Sequence, residues 1–332
     1  MKSMIKRIVV PTDLERRIRE STGVVWRVER ELTDGWFNTA YRVVTAEGDS
    51  AVVKMCPAPD APVLRYERGV MGTEAMFYRR VASLSGFPTP ELLHEGPDFL
   101  LISELPGEPW KNAVRQLPEG EKGKLMRQVG GIVAALHSVE CEPGRFGCPA
   151  PQAALLAGDW PTAFLAMVEA ILEDAERWRS PLGLPHSDVR GLVKAGTRAL
   201  EEVRRPSLVH FDLWPGNLFV DPGSVSGGAP PRVTGVIDHE RAFWGDPVAD
   251  LVALQICGDV GPGSGFLAGY LENGGRLEYT PSVVHRLALY RLYFSLVLVV
   301  ECGPRGYGGD HLEWCRAQLD ASVETLRVLG GA

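Results

Sequence analysis

Two short stretches carry the residues whose types and spacing could do chemistry. They are His210-Phe211-Asp212-Leu213-Trp214-Pro215-Gly216-Asn217 and Val236-Ile237-Asp238-His239. Asp212 and Asn217 stand five apart behind a histidine. Phosphoryl transfer uses such a set: one carboxylate near the acceptor hydroxyl, and an amide oxygen and second carboxylate holding magnesium on the phosphates. Residues 218–221 read as a strand, 222–231 as turn chemistry rich in Gly, Ser and Pro, and 232–237 as the return strand. A hairpin brings its open ends together, so the sequence predicts Asn217 and Asp238 side by side.

The H-x-D-x-x-x-x-N pattern, the strand-borne Ile237-Asp238 and Gly245-Asp246-Pro247-Val248-Ala249-Asp250-Leu251 resemble the aminoglycoside phosphotransferase/choline kinase-like superfamily. The antibiotic phosphotransferase type is the branch that the pattern suggests. The resemblance implies an α+β, two-lobed protein-kinase-like fold, with a β-rich N-lobe at 1–105 and a helical C-lobe at 106–332. It also implies ATP or GTP as donor and Mg²⁺ as cofactor.

On that resemblance Asp212 accepts the acceptor's hydroxyl proton or orients the hydroxyl, and Asn217 and Asp238 hold magnesium, which takes oxygen donors. His210 braces the loop, and Asp250 is scaffolding that bonds back to it. Lys54 ends the strand 51–55, where a kinase places the lysine on the α- and β-phosphates. Glu74 is its expected ion-pair partner, with Glu67 as alternative. Gly35, Asn38 and Thr39 resemble the loop that approaches the β-phosphate, and Ser103, Glu104 and Leu105 the hinge that faces the nucleobase. Two departures from the family stand beside these groups: Phe211 where glycine is common, and His239 where an aromatic is frequent. Gly261-Pro262-Gly263-Ser264-Gly265 lacks G-K-[ST] and is expected to be a plain loop.

The elements that must position these groups follow from periodicity and breakers. A helix is expected at 12–22, strands at 24–30, 40–45 and 51–55 with a turn at 32–39, a helix at 66–84 ended by Phe87-Pro88-Thr89-Pro90, and strands at 92–94 and 99–104. Residues 105–107 resemble a hinge. Helices follow at 122–138, 163–178, 187–204, 266–272, 283–302 and 310–329, with a loop at 141–152.

The chain has 332 residues, 45% hydrophobic and 23% charged, with a formal net charge of −7. That length suits two lobes. The acidic balance argues against a nucleic-acid partner. The six cysteines form no C-x-x-C pair and read as reduced cytosolic thiols. The basic start, residues 1–7, precedes no signal-peptide core. The apolar run 287–300 is interrupted by Arg291 and is too short for a membrane span. The expected protein is therefore cytoplasmic, without a membrane, monomeric or homodimeric, and acts on a small molecule.

The acceptor pocket is expected from the insertion at about 141–205 and the C-terminal helices. Asp159, Glu169, Glu173, Asp174 and Glu176 could hold an amine-rich sugar. Trp160, Phe164, Trp178, Tyr307 and Trp314 could line a pocket for a nucleoside or macrolide, with 303–309 as a lid. An antibiotic acceptor, aminoglycoside or capuramycin-type nucleoside, is the leading expectation. A metabolic kinase of fructosamine, choline or homoserine type is the alternative. An inactive nucleotide-binding scaffold is the third reading, and the intact Lys54, Asp212, Asn217 and Asp238 set argues against it.

Overall fold

The computed structural model describes residues 4–33, 35, 37–141, 144–223 and 229–331. Parts of three expected loops, at 34 and 36, at 142–143 and at 224–228, lie outside the described residues.

The first half is built on one antiparallel sheet. Helix α1 (Pro11–Thr22) starts on a proline, whose missing N–H costs nothing at that position, and ends on Gly23 at φ 75°. Strands β1 (Arg27–Leu32), β2 (Thr39–Val44) and β3 (Ser50–Met55) follow, then α2 (Val70–Val81), β4 (Leu92–Glu95) and β5 (Phe99–Ser103). The sheet order is β1-β2-β3-β5-β4. Strand alternation decides what each face holds. Ala51, Val53 and Met55 pack under Leu14 and Ile18 of α1. Val52 packs on the opposite side with Ala75 and Tyr78 of α2, and Lys54 shares that parity.

The helix expected at 66–84 starts later. Arg65–Glu67 is a 3-10 turn, and Gly69 at φ 74° re-aims the chain before α2 begins. Glycine reaches that left-handed geometry without strain.

Beyond residue 103 the chain is mainly helical. After β6 (Glu108–Pro109) come α3 (Trp110–Ala113), α4 (Glu119–His137), β7 (Phe146–Cys148), β8 (Leu155–Ala157), α5 (Trp160–Trp178), α6 (His186–Ala195) and α7 (Thr197–Leu200). Strands β9 (Ser207–Val209), β10 (Leu218–Asp221), β11 (Arg232–Val236) and β12 (Phe243–Gly245) precede α8 (Leu251–Leu254), α9 (Gly265–Glu272), α10 (Pro281–Arg305) and α11 (Asp310–Gly330). The expected hairpin is β10–β11, with Leu218 opposite Val236.

Two expectations are corrected here. The loop at 141–152 contains β7, which pairs with β8 and β12 and places Phe146 against Trp160. Tertiary pairing, invisible to local propensity, makes it a strand. The helix expected at 187–204 divides at Gly196.

Helix α10 is long and apolar enough to cross a membrane by length and composition, but most of it is buried inside the protein. Trp160 donates to the Tyr290 hydroxyl at 2.7 Å, and that hydroxyl donates to Asp246 at 2.7 Å. Arg286 also reaches Asp246 at 2.7 Å. The Asp246-Pro247 segment therefore anchors α10 beside the loop that carries Asp212.

Candidate active site

The β10–β11 hairpin joins the two motifs. Ile237 N–H donates to the Asn217 carbonyl at 3.0 Å, one residue beyond the last strand pair. The Asn217 side-chain amide donates to the Asp212 carbonyl at 2.9 Å and to its carboxylate at 3.2 Å. That uses the nitrogen and leaves the amide oxygen as the remaining acceptor. His210 is fully buried between the motifs. Its Nε2 contacts the Ile237 carbonyl at 3.0 Å, and its Nδ1 accepts from Asp212 N–H at 3.2 Å. These partners fix the tautomer with hydrogen on Nε2.

Asp250 lies underneath, with no exposed surface. It accepts from Phe211 N–H at 2.6 Å and His210 N–H at 3.2 Å, and pairs with His137 Nε2 at 2.9 Å. The sequence carries little sign of His137, a lone histidine ending an apolar helix face. Asp250→Ala would leave these donors buried without an acceptor. We expect it to lower unfolding free energy by about 3–5 kcal/mol. Urea denaturation checks this, and a loss below about 1 kcal/mol would contradict the bracing role.

Two residues carry backbone strain. Phe211 has φ 67° and Asp238 φ 66°, a region that side chains with a Cβ rarely adopt. The glycine preference at 211 thus has a geometric cause. Here Phe211 is held by packing on Phe243 and Phe294, with ring centroids at 5.2 and 5.5 Å. His239 takes the aromatic role beside Asp238, stacked on Phe77 at 3.8 Å, and burial holds its pKa well below the usual value.

Lys54 bridges the two halves. Its ammonium lies 2.7 Å from both Glu74 oxygens and 2.7 Å from Asp238. Glu74 is therefore the partner, fully buried and also bonded by the Tyr78 hydroxyl at 3.1 Å. Glu67, the alternative, instead pairs with Arg305 at 2.6 Å. Burial opposes the charge on Lys54, but Asp238 and Glu74 outweigh it and its pKa is raised. Burial likewise opposes ionisation of Asp238, and Lys54 more than offsets it, so that pKa is lowered. Asp212 moves the other way: burial raises its pKa, Arg241 partly counters this, and Asp238 adds to the rise.

These groups face one cleft of about 640 Å³. Gly35, Asn38, Lys54, Ser103, Glu104, Leu105, Asp212, Asn217 and Asp238 all line it. Thr39 does not. Its hydroxyl donates to the Arg7 carbonyl at 2.8 Å, and its buried side chain lies on the other face of β2 from cleft-lining Ala40. A phosphate contact through that hydroxyl is therefore corrected by strand alternation. Asn38 donates to Glu240 at 2.7 Å, and Glu104 is held by Arg42 at 2.8 Å.

The expected acceptor residues fare differently. Trp160 and Phe164 are core, and Tyr307 is buried. Asp159 caps α5, Glu169 pairs with Arg190, Glu173 with Arg65, and Asp174 accepts from Arg65 N–H. Trp314 alone of those five aromatics lines the cleft. Of the expected lid, residues 303–305 are the last turn of α10, and 306–309 are the short link to α11, with Tyr307 buried in it.

Instead, the wall beside Asp212 is made by Glu240, Arg241, Glu301 and Arg305. Arg241 pairs with Glu301 at 2.7 Å and lies 3.9 Å from Asp212. Arg305 shares Glu301 at 3.1 Å and covers the Phe37 ring at 5.5 Å. Burial drives the Glu240 pKa well above its ordinary value, with Asp238 adding to it. The signal that could have found this wall is a glutamate and an arginine four apart at the end of an apolar helix. Such charges are rarely buried unless paired.

Comparison with known proteins bears on the family and the fold. The family model described as "Phosphotransferase enzyme family" matches residues 28–287. A Staphylococcus aureus protein named probable ketoamine kinase is 26% identical over 285 residues, covering 82% of this chain and 86% of its own length. Viomycin phosphotransferase from Streptomyces vinaceus is 28% identical over 179 residues, 51% of this chain and 56% of its own. Among solved structures, a candidate fructosamine-3-kinase from Thermobifida fusca superposes with a TM-score of 0.65 at 21% identity, over 98% of this chain and 100% of that one. The APH(2")-IIa ternary complex with streptomycin and ATP gives 0.59 at 17% identity, over 96% and 99%. With the family model spanning most of the chain and the kinase-like fold matching end to end, this protein belongs to the phosphotransferase enzyme family.

Proposed function

We propose that the protein transfers the γ-phosphate of ATP or GTP to a hydroxyl of an antibiotic that is not polycationic, with nucleoside antibiotics ahead of aminoglycosides. In this reading residues 1–105 form the nucleotide lobe and 106–332 the catalytic and acceptor lobe. The base stacks under Ser103, Glu104 and Leu105, and Lys54, positioned by Glu74, meets the phosphates near Gly35 and Asn38. The donor set fits a magnesium ion: Asn217 has its amide oxygen left over, and Asp238 has one oxygen beyond the one on Lys54. When bound, that ion would neutralise charge on the β- and γ-phosphates. Asp212 holds and orients the acceptor hydroxyl and takes its proton as the ester bond forms. Positioning supplies much of the rate, because the transition state is loose.

The observation that carries the acceptor class is the wall beside Asp212. It presents Arg241 and Arg305, with Glu301 already shared between them. Buried Arg241 Nε and Nη1 have no hydrogen-bond partner among the described residues. Carbonyl, carboxamide or carboxylate oxygens suit these donors, and several ammonium groups do not. Phe37, Phe294 and half-exposed Trp314 add apolar lining to the cleft.

A ketoamine acceptor is the second reading, favoured by the named relative that spans most of the chain. Initial rates on nucleoside antibiotics, ketoamines and aminoglycosides test the proposal. A kcat/KM at least about tenfold higher for the nucleoside class is expected, a margin equal to one hydrogen bond of about 1.4 kcal/mol. Preference for aminoglycosides would reject it, and preference for ketoamines would select the second reading.

A further inference from the structure

Apart from the phosphoryl-transfer groups, one cluster of soft ligands stands at the junction of α10 and α11. His311 and Cys315 are four apart on α11, so both project from one face of that helix. Cys302 approaches from the last turns of α10. One ligand atom from each of the three residues lies within 4.8 Å of the other two. Cys302 and Cys315 are buried, at 3% and 0% exposure, while His311 is partly exposed and lines the cleft.

The separation of Cys315 Sγ from His311 Nε2 is 3.6 Å. In a tetrahedral zinc site, with Zn–S about 2.3 Å and Zn–N about 2.0 Å, the S···N edge is about 3.5 Å, close to this separation. Two sulfurs and an imidazole nitrogen are the ligand types that zinc prefers. They exclude magnesium, which takes oxygen donors.

We propose that Cys302, His311 and Cys315 form a second metal site, for Zn²⁺ or a similar soft divalent ion, distinct from the magnesium position at Asn217 and Asp238. Binding releases the thiol protons and forms two metal–sulfur bonds and one metal–nitrogen bond. Three protein ligands leave one coordination position for water. The bound ion clamps the start of α11 to the end of α10. It thereby fixes Trp314, which stacks beside His311 with centroids 6.1 Å apart, and the neighbouring Glu301–Arg305 pair on the acceptor wall.

The test uses full-length protein, reduced, treated with chelator and desalted, then titrated with Co²⁺ alone. The expected result is a thiolate-to-cobalt charge-transfer band with tetrahedral d–d bands, saturating at one equivalent and erased by Zn²⁺. Cobalt at the oxygen-lined magnesium position gives no such sulfur band, so the two sites separate spectroscopically. Cys302→Ser and Cys315→Ser should remove the band, and His311→Ala should shift or weaken it. His311 is the least buried ligand, so this variant keeps the test open if a serine variant fails to fold. Zn²⁺ should also raise the thermal midpoint of the wild type with the logarithm of its concentration, and not that of His311→Ala. Absence of the band in the reduced wild type overturns the proposal. So does a band of equal strength in Cys315→Ser and His311→Ala, which would place the metal on other cysteines.

Discussion

Asp212→Asn is expected to bind MgATP with nearly unchanged affinity while kcat falls by roughly 10²–10⁴-fold, the usual contribution of a positioned acid–base group. The substitution keeps the shape of the side chain. It leaves Lys54 on Glu74 and Asp238, and leaves the Asn217 amide bonded to the residue 212 carbonyl. It removes the carboxylate charge that lies 3.9 Å from Arg241 and points into the cleft. Nucleotide titration by calorimetry and single-turnover phosphate transfer separate the two effects. Loss of nucleotide binding together with turnover would make Asp212 part of the metal or phosphate site. Unchanged turnover would remove it from the chemistry.

Asp238→Ala is expected to do the reverse and act first on binding. Magnesium-dependent affinity for nucleotide should fall by about 100-fold or more, above what loss of an outer hydrogen-bond partner to a metal ligand costs. The binding that remains should be insensitive to magnesium. Lys54 keeps Glu74 in this variant, so its charge stays compensated. The strained φ of 66° at this position is one that alanine tolerates poorly. Asp238→Asn, which adopts that geometry more readily, is therefore the companion variant. Unaltered magnesium dependence in Asp238→Asn and Asp238→Ala alike would assign the metal to other groups. The comparison is made with ATP in excess magnesium and again with magnesium removed by chelator, so that the magnesium-dependent part of the affinity is read directly.

What the sequence made legible was what local spacing can specify. Asp212, Asn217 and Asp238 were readable because a hairpin with turn chemistry at its tip fixes which residues meet at its base. Glu74 was readable because Phe77, Tyr78 and Val81 mark the buried face of α2 on which it sits. The strands of the first sheet were placed to within a few residues by alternation and glycine or proline breakers. The acceptor wall was not legible. Arg241 and Asp212 are 29 positions apart, and Glu67 and Arg305 are separated by 238, and no periodicity links them. Nor could composition tell that Glu169 of α5 pairs with Arg190, or that Arg65 takes up Glu173 and Asp174. Thr39 was misplaced by strand parity alone. Strand β7 looks like a loop in the sequence because its glycine and short length hide a pairing that only the neighbouring strands supply.

The measurement that bears most directly on the account is phosphate transfer, read by mass spectrometry. Purified protein is given MgATP or MgGTP with nucleoside antibiotics, ketoamines and aminoglycosides, and Asp212→Asn serves as the blank. The account predicts one acceptor class gaining a single phosphate on a hydroxyl, matched by nucleoside diphosphate, with none formed by the blank. Nucleotide binding with no phosphorylated acceptor in any class, or equal product from the blank, would contradict it.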